Sequence, residues 1–157
     1  MKKIYFASPW FNAEQAERED RVKNKLRELG FNVWSPKESC ICPPDASNEL
    51  RKKTFNDNCE SIKASDIIFA VTDGKDMGTI WEAGYANGIN EVSKNLFGRI
   101  GKQIIVIYYC ETLGSNGQFN LMLANSGDII ITDFETLNEL PTLIEKGKGL
   151  GYAGKIE

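Results

Sequence analysis

A chain of 157 residues, 41% hydrophobic and 26% charged, can bury one real core and has the make-up of an ordinary globular domain. A formal charge of −3 with no basic stripe argues against a nucleic-acid polymer as partner, and no run approaches the ~20 apolar residues of a membrane-spanning helix. Histidine is absent, so Ser-His-Asp hydrolysis and every other imidazole mechanism is excluded, and acid–base chemistry falls to carboxylates, Tyr, Lys or Cys.

Residues 3–7 read as a first strand. The start resembles the basic head of a signal peptide for only two residues, Lys2 and Lys3, and polar Asn12, Glu14 and Gln15 arrive before an apolar signal core could form, so the cytoplasm is the expected compartment. After the loop Ser8-Pro9-Trp10-Phe11, Asn12 caps a helix over 13–29 with Val22, Leu26 and Leu29 at helical spacing. Gly30 suits the position after that helix, and residues 31–35 alternate as a second strand. The loop 36–44 holds Cys40 and Cys42. Without histidine or a second close cysteine pair no metal is expected there, and without a secretion signal no disulfide is expected. Asp45 or Ser47 caps a helix to about residue 63, with Leu50, Thr54, Asn58 and Ile62 on one stripe. Residues 67–72 form a third strand, followed by a helix from 79 to about 90 and a loop over 98–102. Residues 103–109 give the strongest buried-strand signal. A polar loop over 111–118, the segment 119–123, a fifth strand over 128–132 and a helix over 134–146, interrupted or started late by Pro141, complete the pattern. The tail 147–157, with four glycines, reads as coil.

Strands alternating with helices predict one α/β domain over residues 1–157: a flavodoxin-like, doubly wound, five-stranded parallel sheet in the order 2-1-3-4-5, with helices on both faces. Ligands of such sheets bind beyond the carboxyl ends of the strands, near the switch between strands 1 and 3. The loops 8–11 and 73–78 meet there.

The second loop opens the stretch Asp76-Met77-Gly78-Thr79-Ile80-Trp81-Glu82-Ala83-Gly84-Tyr85. Gly78 permits close approach of a ligand to the backbone at a helix N-terminus, a frequent phosphate site. Asp73 and Asp76 would repel a phosphate dianion, so a neutral, hydroxyl-rich ligand fits better. Glu82 is a carboxylate in the least polar part of its helix. It is either a solvated residue, with Asp76 a plain N-cap, or a nucleophile that the positive helix end keeps ionised. Tyr5 would project from the end of the first strand to hydrogen-bond that carboxylate, or be a core aromatic. Trp10 and Phe11 could stack a planar base or cover the sheet edge. Asn58 could contact a ligand or satisfy a helix seam, and Gly84 and Gly88 suit close packing or subunit contact.

The segment Tyr5-Phe6-Ala7-Ser8-Pro9-Trp10-Phe11, the pattern Asp76-x-Gly78-x-x-x-Glu82-x-Gly84-Tyr85-Ala86, Asn120-Leu121-Met122 and the ending Tyr152-x-Gly154-x-Ile156-Glu157 resemble, in order and spacing, nucleoside 2-deoxyribosyltransferases. The resemblance implies exchange of 2-deoxyribose between nucleobases by a retaining double displacement, for nucleoside salvage, with a deoxynucleoside and a free base as partners and no cofactor. It implies that Glu82 is the nucleophile, that Tyr5 orients it, and that Asp76 contacts sugar or base. It further implies that Asn120, Met122 and the terminal carboxylate of Glu157 serve a site shared between subunits of a homo-oligomer, dimer-based and in some members hexameric. Asn58 stands where well-known members carry an Asp that protonates the departing base; an amide can hydrogen-bond a base but cannot supply the proton.

Two other functions fit the same fold. A 2-deoxynucleoside 5′-monophosphate N-glycosidase would use water as acceptor, but resembling members place a small hydroxyl residue where Asp76 stands. A nucleotide-binding module would need either an acidic cluster or a glycine-rich turn after the first strand, where this chain has Ala7-Ser8-Pro9.

Overall fold

The computed structural model describes residues 1–97, 101, 103–113 and 117–157. Its centre is a parallel sheet of β1 (Lys3–Ala7), β2 (Asn32–Trp34), β3 (Ile67–Val71), β4 (Ile105–Tyr109) and β6 (Ile129–Ile131), in the order β2-β1-β3-β4-β6. This is the expected flavodoxin-like order, with the expected fifth strand now sixth in the chain. The extra strand, β5 (Gln118–Phe119), lies outside the main sheet and pairs in parallel with β7 (Lys155–Ile156).

Strand alternation builds two cores. Ile4, Phe6, Phe69, Ile107 and Tyr109 face α1 (Ala13–Glu28), where they meet Val22 and Leu26. Tyr5, Ala7, Ile68, Ala70 and Tyr108 point the other way, against Ile62 of α3 (Asn48–Lys63) and Ala83 and Ala86 of α4 (Met77–Phe97). Four alanines at that second interface let α4 lie close to the strands, which brings a polar residue of the helix against the middle of β1. The helix starts follow capping chemistry: Asn12 accepts from the Gln15 amide, and Ser47 from the Leu50 amide. Gly30, with φ +89°, turns the chain out of α1 in the left-handed region that glycine adopts without strain.

Three boundaries differ from the sequence reading. The helix expected to end near Asn90 continues to Phe97. Asn90 does not stop it; its side chain instead donates to the Ile104 carbonyl and accepts from the Ile104 amide, tying the helix to the entry of β4. Of the loop expected over 98–102, residues 98–100 and 102 lie outside the described residues, as do 114–116 of the polar loop. The last helix is split into a 3₁₀ turn, Glu135–Glu139, and α6 (Leu140–Glu145), with Pro141 in its first turn, where a missing N–H costs nothing. The tail is not all coil: Leu150 bridges Ile129, and β7 closes the chain against β5. The loop after β2 contains one short helix, α2 (Pro36–Ser39), and α5 (Leu121–Ser126) follows β5. Among the described residues no helix is long and apolar enough to cross a membrane.

Candidate active site

β1 and α4 bring two residues together across 77 positions of sequence: the Tyr5 hydroxyl donates to Glu82 Oε1 at 2.5 Å. The Tyr5 side chain is fully buried, and Glu82 is mostly so. Burial pushes the Glu82 carboxyl up to about 7, against the lowering effect of the Tyr5 bond, and the nearby Asp76 charge adds to the rise. Burial therefore opposes the ionisation that the helix end was expected to favour. Glu82 sits five residues beyond the helix start at Met77, past the first turn where the dipole acts, so desolvation wins. The Tyr5 phenol is itself driven far above its ordinary range, by burial first and by Glu82 second, so it remains a proton donor at every working pH.

Asp76 caps α4, its Oδ2 accepting from the Thr79 amide at 2.7 Å. Its Oδ1 makes no hydrogen bond to the described residues, so the cap occupies only one of the two carboxylate oxygens. At Gly78 a Cβ would come within 3.2 Å of Asp76 Oδ2, so a side chain there would crowd the cap. Asp73 is different from its reading as a free loop charge. It is buried, and its two oxygens accept from the Glu111 and Thr112 amides at 3.2 and 2.7 Å. It anchors the 3₁₀ turn Glu111–Leu113 that follows β4 and also borders a cavity beside that turn. Glu111 in turn takes Arg18, Arg21 and the Tyr109 hydroxyl, which pins the turn to α1.

Asn58 lies on α3, which packs against α4; the neighbouring Cys59 thiol feels the Glu82 charge, which sets this part of α3 beside the carboxylate. Its Oδ1 is buried with no hydrogen-bond partner, an unmet acceptor of the kind folded proteins rarely leave. Trp10 and Phe11 stack on each other, with ring centroids 5.5 Å apart, and Phe11 is 72% exposed. Trp10 is half-buried, and Phe11 leaves an aromatic face open.

Asn120, Met122 and Glu157 form a second group. Asn120 Oδ1 caps α5 through the Met122 and Leu123 amides, and the Glu157 carbonyl accepts from the Leu121 amide. With Lys75, whose ammonium pairs with the Glu157 side chain at 3.1 Å, they line a cavity of about 610 Å³. Neither Tyr5 nor Glu82 lines it. Within one chain, then, the two halves of the expected constellation stand on either side of the β3–α4 loop rather than in one pocket.

A model for the family described as nucleoside 2-deoxyribosyltransferase matches residues 4–130, which include Tyr5, Asn58, Asp76, Glu82, Asn120 and Met122. The chain belongs to the nucleoside 2-deoxyribosyltransferase family. The 2-deoxyribosyltransferase from the psychrotolerant bacterium Bacillus psychrosaccharolyticus is similar over 96% of this chain and 98% of its own, at 28% identity and a TM-score of 0.72. Two further structures share the fold: a conserved protein from Enterococcus faecalis V583 (19% identity, 90% and 98% of the two chains, TM-score 0.66) and a CMP N-glycosidase from Clostridium botulinum (17%, 93% and 99%, TM-score 0.50). No curated protein sequence matches the chain. Family membership and the first of these structures make this a glycosyl-transferring enzyme.

The sequence reading did not single out Trp34, whose indole stacks on the Tyr5 ring at 5.0 Å and 28°. It also missed Phe55, which packs against the Trp81–Tyr85 stack over the α3–α4 seam. The signal for Trp34 was its place in the second strand, but strand register was needed to set it beside Tyr5.

Proposed function

We propose that the protein transfers 2-deoxyribose between nucleobases, with Glu82 as the nucleophile. The observation that carries this reading is the buried carboxylate–phenol pair of Glu82 and Tyr5, the middle residue of β1. In its ionised form Glu82 attacks C1′ of a deoxynucleoside, the base departs with the bonding pair, and a deoxyribosyl ester remains. A second base attacks C1′ from the opposite face and restores the carboxylate, so configuration is retained. Tyr5 fixes the carboxylate and stabilises its charge before the attack and again when the ester breaks. Asp76 Oδ1 accepts from a sugar hydroxyl or a base N–H. Asn58 hydrogen-bonds the base without supplying a proton, and the open Trp10–Phe11 stack covers it.

The cavity lined by Asn120, Met122 and Glu157 is read as the part of the site that each subunit lends to its neighbour. The exposed side of α4 supports an oligomer: Trp81, Gly84, Gly88, Val92 and Phe97 border an apolar trough of about 750 Å³, where added β-carbons at both glycines would meet nothing. No charged side chain borders that trough among the described residues.

The deciding measurement is incubation with 2′-deoxyinosine, with and without free adenine or cytosine, followed by chromatography. Deoxyadenosine or deoxycytidine forms only when its base is added, and Glu82→Gln is inactive in the same assay. Release of free deoxyribose at equal rates in both incubations would make the protein a hydrolase. Full activity of Glu82→Gln would remove Glu82 from the mechanism.

A further inference from the structure

The proposed chemistry depends on a phenol held at one position by very little of its own side chain. Tyr5 has only two torsions, and its hydroxyl must stay on Glu82 Oε1 while a substrate enters. The ring belongs to the buried sheet–α4 cluster that includes Ile68, Ala83 and Ala86, where the two alanines offer no more than a methyl group each. On β2, parallel register pairs Trp34 directly with Tyr5. The two side chains leave the same face of the sheet, and the rings stack at 5.0 Å with an interplanar angle of 28°.

Trp34 is itself held. The next residue, Ser35, is buried and donates to Glu19 Oε1. Glu19, also fully buried, takes Lys23 of its own helix and Lys37 of α2. Arg27 donates to the Val33 carbonyl, just before Trp34, and to Glu38 of α2. This network clamps the end of β2 between α1 and α2, and it contacts neither Tyr5 nor Glu82. A buried ion network whose charges are all paired is costly to assemble and specifies one arrangement. Here the arrangement it fixes is the strand end that carries the indole.

We propose that Trp34 is a positioning residue: its indole, clamped by the end of β2 and stacked on the Tyr5 ring, keeps the phenol in the orientation that donates to Glu82. Trp34 touches no reacting atom and acts through Tyr5. The idea rests on Glu82 being the reacting carboxylate, but the juxtaposition can be tested without turnover. The titratable groups around the pair are Asp76 at the start of α4, Cys59 on α3 and Cys40 at the end of α2. None of them lies on β2, so replacing Trp34 changes no charge.

The test is a titration of Glu82 in the unliganded protein, by NMR of 13C-carboxyl-labelled glutamate with Glu82→Gln to assign the signal. It is run on the wild type, Trp34→Leu, Tyr5→Phe and the double variant. Losing the phenol bond removes a stabiliser of the ionised form, so Trp34→Leu titrates at higher pH than wild type, and Trp34→Phe, which keeps a stacking ring, restores the wild-type midpoint. In the Tyr5→Phe background Trp34→Leu adds no further rise, because the bond it serves is already gone. In turnover, Trp34→Leu lowers kcat by roughly tenfold with KM little changed. A Glu82 midpoint that stays put or falls in Trp34→Leu overturns the proposal, because the indole is then filler or a solvent shield. An equal rise with and without the Tyr5 hydroxyl overturns it too. If Glu82→Gln proves fully active, the transfer mechanism fails while the titration still decides the role of Trp34.

Discussion

Glu82 was conspicuous as a carboxylate in an apolar stretch, and its two possible fates, solvated or sequestered, are separated by burial. That burial has a stability consequence with a definite sign. The folded state raises the carboxyl from an ordinary 4.5 to about 7, so between those values it holds more proton than the unfolded chain does. Stability contributed by the protonated form is complete below pH ~4.5, falls as pH rises, and is lost once the pH passes ~7. Replacing Glu82 by Gln removes the charged form and keeps an oxygen for Tyr5. We therefore expect Glu82→Gln to melt with the wild type near pH 4 but ~5–10 °C higher at pH 8, the equivalent of roughly 2–3 kcal/mol for a domain of this size. Calorimetric melting across pH checks this, and equal melting temperatures at pH 8 would mean that Glu82 is solvated. On the expected outcome the inactive variant is the more stable one at pH 8, a sign that the wild type holds this carboxylate for chemistry.

At the scale of elements, helix caps and strand cores could be read from sequence because their causes are local. Asn12 and Ser47 cap the helices expected of them, and the apolar runs at 67–71 and 104–109 are strands or their entries. What escaped were contacts whose partners lie far along the chain. Asp73 looked like a free loop charge because the amides it serves, those of Glu111 and Thr112, are 38 and 39 residues away. Asn90 looked like a helix end because its partner, Ile104, is beyond the following loop. Lys155–Ile156 looked like coil because two residues have no periodicity to detect. The Asp73 assignment predicts that Asp73→Ala lowers stability by ~1–3 kcal/mol in urea unfolding, since two amides lose their acceptor. Asp73→Asn, with one acceptor oxygen left, loses less. Equal stability of all three proteins would show that the 3₁₀ turn holds without the aspartate.

For the molecule as a whole, strand order followed from alternation of strands and helices together with right-handed crossovers, and it set Tyr5 next to the β3–α4 loop before any side chain was placed. The division of the site was expected only from the family resemblance, because residue patterns alone do not tell a residue's own pocket from one it lends. The separation of Asn120 and Glu157 from Glu82 yields a complementation experiment. Glu82→Gln lacks the nucleophile; Asn120→Asp keeps the oxygen that caps α5 but loses the amide donors. Each is inactive alone, whereas co-expressed they regain about a quarter of wild-type activity, as random pairing of two-fold subunits requires. Failure to recover any activity would place Asn120 and Glu82 in the same chain's site.

The pairing of β7 with β5 also bears on how the protein is best handled. Ile156 sits opposite Phe119, the Glu157 amide donates to the Phe119 carbonyl, and the Glu157 side chain reaches Lys75 across the rim of the cavity. Any residues appended after Glu157 would emerge at that rim, among the groups proposed to meet a neighbouring subunit. Met1 and Lys2 instead lead into the opposite edge of the sheet, where β1 begins. A purification handle or fluorophore fused before Met1 should therefore be silent, whereas the same handle fused after Glu157 would itself act as a perturbation of the site.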